Sequence, residues 1–125
     1  MSESIVQKRT AKLILQELAD IFSHELTYLP GALLTISQVR VPPDLGMAKV
    51  YVSVLPDARL EEAATTLNEH AWEVRHALSR RIRNKLRKMP ELRFYADDSF
   101  KEAERINRLL DSMEIPEDTP SEENE

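Results

Sequence analysis

The chain is predicted to fold as a single α+β domain, with a three-stranded sheet packed on helices. Three observations predict it. Apolar residues recur at helical spacing in two long stretches. Three shorter segments alternate in the manner of strands. At 125 residues and 42% hydrophobic content there is material for one modest core and little beyond it.

In order along the chain, Ser4 is placed to cap a helix running to about Leu26. Ala11, Ile14, Leu18, Ile21 and Phe22 form its stripe, and Pro30-Gly31 ends the pattern. LLTISQVRV (33–41) is rich in β-branched residues, and its imperfect alternation predicts a bulge. Pro42-Pro43-Asp44 makes a turn. MAKVYVSVL (47–55) then alternates cleanly, with Ala48, Val50, Val52 and Val54 on one face and Lys49, Tyr51 and Ser53 on the other. The two segments read as an antiparallel hairpin.

After Pro56-Asp57 a single apolar stripe runs from Leu60 through Leu67, Val74, Leu78 and Ile82 to Met89. A straight helix over 59–88 would be about 45 Å long, more than so small a domain can cover. A break is therefore expected, although no Gly or Pro marks it. ELRFYAD (91–97) is the third strand. A Ser99-x-x-Glu102 capping box opens a last helix with Phe100, Ala103, Ile106, Leu110 and Met113 as its stripe. The expected domain spans 1–113, and 114–125 is expected to be a disordered acidic tail.

Charge is unevenly spread. The net charge is −5, yet from Asp111 onward there are seven acids and no Lys or Arg, which leaves 15 acids against 17 bases in residues 1–110. The folded part is mildly basic, and its charge is concentrated. In RRIRNKLRK (80–88) six of nine positions are Arg or Lys, and no acid lies between Arg75 and Lys88. On a continuous helix Arg80, Arg83 and Arg87 would form one row and Arg81, Lys85 and Lys88 another, both facing away from the apolar stripe. Like charges at this spacing repel by a few tenths of a kcal/mol, about 0.2–0.5 per pair. Lys8, Arg9 and Lys12 add positive charge at the start of the first helix, the wrong end for its dipole.

Such a face is either a well-solvated helix surface or a surface for the phosphates of a nucleic acid, bound in a salt-dependent way. An acidic protein or an anionic lipid is the further possibility. The order α-β-β-α-α-β is that of a KH-type fold, but Gly31 and Gly46 are the only glycines, and neither sits in a GXXG loop between helices. Contacts to phosphate and RNA shape are therefore expected rather than base readout. KVYVSV lacks the glycine and aromatic pair of an RNP1 motif, so Tyr51 reads as a strand surface residue.

Catalytic readings find little to stand on. The chain has no cysteine, hence no disulfide, thiolate or Cys-based zinc site. Glu69, Glu73 and His76 share a helix face without a fourth ligand, and His24 stands alone near a helix end. No metal, cofactor or small-molecule substrate is expected, and the chain does not read as an enzyme. MSESIVQKRT has no apolar stretch of a signal peptide, and no apolar run reaches the roughly 20 residues that span a bilayer. A cytoplasmic monomer without membrane attachment is expected.

Over residues 5–112 the chain resembles bacterial ribosome-binding factor A. The resemblance is carried by Arg9, Ile14, Glu17-Leu18 and Ile21, by Asp44-Leu45-x-x-Ala48-Lys49-Val50-Tyr51-Val52-Ser53, and by Arg75 followed by Leu78. Leu86-Arg87-x-x-Pro90-Glu91-Leu92-x-Phe94, Asp97-Asp98-Ser99 and Ile106-x-x-Leu109-Leu110 complete it. The resemblance implies a type II KH-like fold and binding to the free small (30S) ribosomal subunit. It also implies assistance to late 16S rRNA maturation, including the 5′ end, with importance in the cold, and no enzymatic activity. It sets the basic helix, from Arg75 to Lys88, against rRNA, with Lys8, Arg9, Lys12 and Lys49 as secondary contacts. A protein-interaction module docking on an acidic partner and a general RNA chaperone are the alternatives. Members commonly bend the long helix at an Ala-x-Gly step; here the step is His70-Ala71-Trp72, and Trp72 reads most simply as a packing residue.

Overall fold

The computed structural model describes residues 4–99 and 105–110. Helix α1 runs Ile5–His24 and starts in a reciprocal capping box: the Gln7 amide N–H donates to Ser4 Oγ at 3.1 Å, and the Ser4 N–H donates to Gln7 Oε1 at 2.9 Å. Gln7 also donates from Nε2 to the Val41 carbonyl at 2.9 Å. That bond satisfies a buried amide and ties the start of α1 to the end of the first strand.

Strands β1 (Leu33–Arg40) and β2 (Met47–Leu55) pair antiparallel, with the expected bulge between Ile36 and Gln38. The turn between them holds Leu45 at φ 57 with its side chain buried. A left-handed Leu is strained, and the apolar burial at that end of the core offsets the strain.

The long helical stretch is two helices, α2 (Leu60–Glu69) and α3 (Ala71–Ile82), interrupted at His70. His70 leaves the helical region at φ −111, ψ 16, and its ring Nδ1 sits 2.9 Å from the Thr66 carbonyl. Tyr28 stacks on the His70 ring with centroids 4.4 Å apart and donates its hydroxyl to Glu73 at 2.5 Å. The break thus falls at the step the resemblance indicates, and it is held by side chains rather than by a flexible glycine.

Strand β3 (Glu91–Ala96) pairs parallel to the other side of β2, giving the order β1-β2-β3. Its outer edge is partly closed by Asn68, whose amide donates to the Phe94 carbonyl and accepts from the Phe94 N–H, both at 2.8 Å. A side chain thereby stands in for a fourth strand. Helices cover one face of the sheet, with Ile14, Leu18, Ile21, Leu67, Val74, Leu78 and Ile82 packed on Val50, Val52 and Phe94. This is an α+β, type II KH-like domain.

The structure corrects two expectations. The basic segment is not helical to Lys88: α3 ends at Ile82, Arg83–Lys85 form one 3-10 turn, and Leu86 is extended. Pro90 disfavours helix at the residue before it, and the chain must turn back to enter β3. Trp72 does not pack; it is 77% exposed. Of the last helix, residues 105–110 are helical, and Ile106 and Leu110 of the expected stripe are exposed. Phe100, Glu102, Ala103, Met113 and the tail lie outside the described residues.

Candidate nucleic-acid interface

The cations expected to face a partner fall into two groups. Arg75, Arg80 and Arg81 have bonds within the fold. Arg75, half-buried, donates from Nε to the Pro90 carbonyl and from Nη2 to the Met89 carbonyl, both at 2.9 Å, and so latches the loop before β3 onto α3. Arg81 meets three carboxylates of α1 and its cap: Asp20 at 2.6 Å, Glu17 at 3.2 Å and Glu25 at 3.2 Å. These hydrogen bonds, that of Asp20 foremost, raise its already high pKa; the Arg81 bond in turn holds Asp20 below the ordinary aspartate value of 3.8. Arg80 pairs with Glu25 at 2.7 Å but stays largely exposed. The second expected row, Arg81, Lys85 and Lys88, is therefore not a row in space.

Arg83, Lys85, Arg87 and Lys88 are exposed, and among the described residues none has a carboxylate within 4.0 Å. The same holds for Lys8, Arg9, Lys12 and Lys49. Tyr28, just past α1, lies beside His70 and Glu73 at the start of α3, whereas Glu17 and Asp20 lie beside Arg81 near its end. The end of α3 lies against the C-terminal part of α1 through Glu17, Asp20 and Glu25, while the cations of α1 sit at its start. The Gln7–Val41 bond sets that start beside the end of β1, and the Glu91 N–H donates to the Gly46 carbonyl at 3.0 Å where β2 and β3 begin. The start of α1 and the starts of β2 and β3 thus share one end of the sheet, which the loop after α3 reaches as it enters β3. Exposed cations on short loops and element starts suit a polyanion contacted at several phosphates.

Trp72 is a feature the sequence reading missed in character, though not in position. It stands at the α2–α3 break beside a shallow cavity of about 320 Å³ lined with Ala71, Arg75, Glu91 and Leu92. Its exposure follows from its place in α3, off the face that buries Val74, Ala77, Leu78 and Ile82. No group of three or more His, Asp or Glu among the described residues is arranged to hold a metal ion; Glu73 instead accepts the Tyr28 hydroxyl. Among the described residues no helix is long and apolar enough to cross a membrane.

Comparison with known proteins agrees with this geometry. The family model for ribosome-binding factor A matches residues 6–110. Ribosome-binding factor A of Christiangramia forsetii is 38% identical over 122 residues, covering 96% of this chain and 93% of the relative. A Thermotoga maritima protein solved by solution NMR, named as a candidate ribosome binding factor A, superposes with a TM-score of 0.60 at 26% identity, covering 76% of this chain and 90% of that one. A homology model of the Thermus thermophilus factor, fitted into a cryo-electron microscopy map of its complex with 30S, superposes at a TM-score of 0.54 with 26% identity, over 78% of this chain and 97% of that one. With most of its length matched by the family model and by a relative 38% identical, the chain belongs to the ribosome-binding factor A family.

Proposed function

We propose that this protein is an assembly factor of the small ribosomal subunit, binding the free 30S particle through phosphates of 16S rRNA and assisting late maturation of that rRNA, including its 5′ end. The observation that carries the reading is the set of exposed cations, without a carboxylate within 4.0 Å among the described residues, on a domain of this family. The Thermus thermophilus relative fitted into a 30S complex supports the choice of partner.

Arg83, Lys85, Arg87 and Lys88 make the principal contacts, with Lys8, Arg9, Lys12 and Lys49 beside them. Arg75 and Arg81 act by holding that surface in place, and Arg80 is shared between the two tasks. Each phosphate neutralised releases condensed counterions, so affinity falls steeply as salt rises. The body is a rigid wedge that stabilises one rRNA conformation in an unfinished subunit. It acts as a cytoplasmic monomer by binding rather than by chemistry, with no cofactor. Reversing Arg83 and Arg87 to Glu together should abolish co-sedimentation with free subunits in a protein whose melting temperature is unchanged. Retained binding by that variant would remove the assignment.

A further inference from the structure

The face of the sheet opposite the helices carries a surface that the sequence reading did not identify. Its rows follow from the strand register. Arg40, Lys49 and Arg93 are aligned across the three strands, and the next row is Gln38, Tyr51 and Tyr95. The alternation that buries Val50, Val52, Leu92 and Phe94 turns all six of these outward. Tyr51 and Tyr95 stack on one another, ring centroids 5.5 Å apart and planes 28° apart. KVYVSV alone lacks an aromatic pair, but pairing with β3 supplies the second ring.

We propose that this open face binds single-stranded RNA, with a base stacked on the Tyr51–Tyr95 pair and its flanking phosphates held by Arg40, Lys49 and Arg93.

Charge makes the case for an anion. Like charges directly opposite one another on neighbouring strands are destabilising, and here three lie in a row. Among the described residues none has a carboxylate within 4.0 Å. Among the described residues Arg40 meets the Gln38 side-chain oxygen, at 2.9 Å in the amide orientation that satisfies both groups. Glu91 lies one same-face position beyond Arg93 at the start of β3, and Asp97 beyond Tyr95 is occupied by the Ser37 hydroxyl at 2.5 Å. The rings make the case for a nucleic acid over an acidic protein. Same-face neighbours along a strand are about 7 Å apart, comparable to the reach from a base to its own phosphate. Stacking on exposed aromatic rings is tolerant of base identity because every base has a π-face. Tyr95 lies on the edge strand, and both rings are half-buried rather than fully covered.

The proposal goes beyond the subunit-binding reading and shares with it the polymer and Lys49. It is tested with the full chain and two labelled strands of about ten nucleotides, one oligoadenylate and one abasic with the same phosphates, by fluorescence anisotropy. The wild type should prefer the base-bearing strand by about tenfold or more. Tyr95→Leu, which keeps an apolar side chain on the edge strand, should erase most of that preference, as should Tyr51→Leu if it folds. Arg93→Glu should weaken both strands alike. Equal binding of the two strands by wild type overturns the proposal, as does a preference intact in folded Tyr95→Leu. A preference lost in Trp72→Ala but not in Tyr95→Leu would place the base at the helix break instead. Polyglutamate competing as well as RNA would make this face a protein-docking surface. Arg83→Glu/Arg87→Glu should keep the base preference, so failure of the subunit reading and failure of this one are told apart.

Discussion

Arg81 and Arg83 are two residues apart and have opposite surroundings. Arg81 is held by carboxylates 56 to 64 residues earlier in the chain, while Arg83 is exposed. Counting acids near a basic run, as sequence reading does, cannot see partners supplied by a helix packed against it. Arg81→Ala should therefore lower stability more than Arg83→Ala does, because three carboxylates lose their common partner. Arg83→Ala should change stability by less than about 0.5 kcal/mol while weakening subunit binding more than Arg81→Ala does. Urea unfolding and co-sedimentation of the two variants check this. Two aspartates bear on acid stability. Asp20 is lowered chiefly by the hydrogen bond from Arg81, and Asp97 chiefly by the hydrogen bond from Ser37. Because each folded carboxyl loses its proton more readily than the unfolded one, the unfolded chain binds more protons in acid. Their contribution is complete above the ordinary value of 3.8 and is lost as pH falls through the folded values. Melting temperature followed below pH 5 should fall less steeply for Asp97→Asn than for wild type; parallel curves would contradict this.

The elements themselves were largely legible because their periodicities are strong. The alternation of 47–55 and the helical stripe of 5–24 needed no tertiary help, and the bulge in β1 showed as a broken alternation. What the sequence hid was contact between elements. Length alone demanded a break after Leu60, but its stabilisation by Tyr28, more than 40 residues upstream, is a tertiary fact. Burial first, then the Glu73 carboxylate, pushes the Tyr28 hydroxyl above its ordinary pKa, so it stays a donor at neutral pH. Tyr28→Phe keeps the ring on His70 and loses the bond to Glu73, at a cost of about 1 kcal/mol, readable by chemical denaturation. Trp72→Ala should be close to neutral in the same assay, since an exposed side chain leaves no cavity. A loss of about 3 kcal/mol, typical of a buried Trp, would contradict the exposed position. The end of α3 at Ile82 was also hidden, because the apolar stripe continues to Leu86 and Met89, which pack from an extended loop instead.

At the scale of the whole molecule, the arrangement of charge matters more than its sum. The chain is acidic overall, yet cations with no carboxylate within 4.0 Å among the described residues lie at the start of α1, on β2 and along the loop after α3. Sequence reading put the cations from Arg75 to Lys88 on one helical face, with Lys8, Arg9, Lys12 and Lys49 apart from it. The fold instead assembles them from separate elements and withdraws Arg75 and Arg81 into its own support. A surface built this way keeps its shape only while the domain is folded, which ties binding to the rigid body rather than to a charged peptide. The most direct test is co-sedimentation of the protein with free small subunits and with complete ribosomes across a salt series, beside Arg83→Glu/Arg87→Glu. The account predicts enrichment on free subunits that weakens steeply with salt and is lost in the folded variant. Equal association of wild type and variant, or association indifferent to salt, would contradict it.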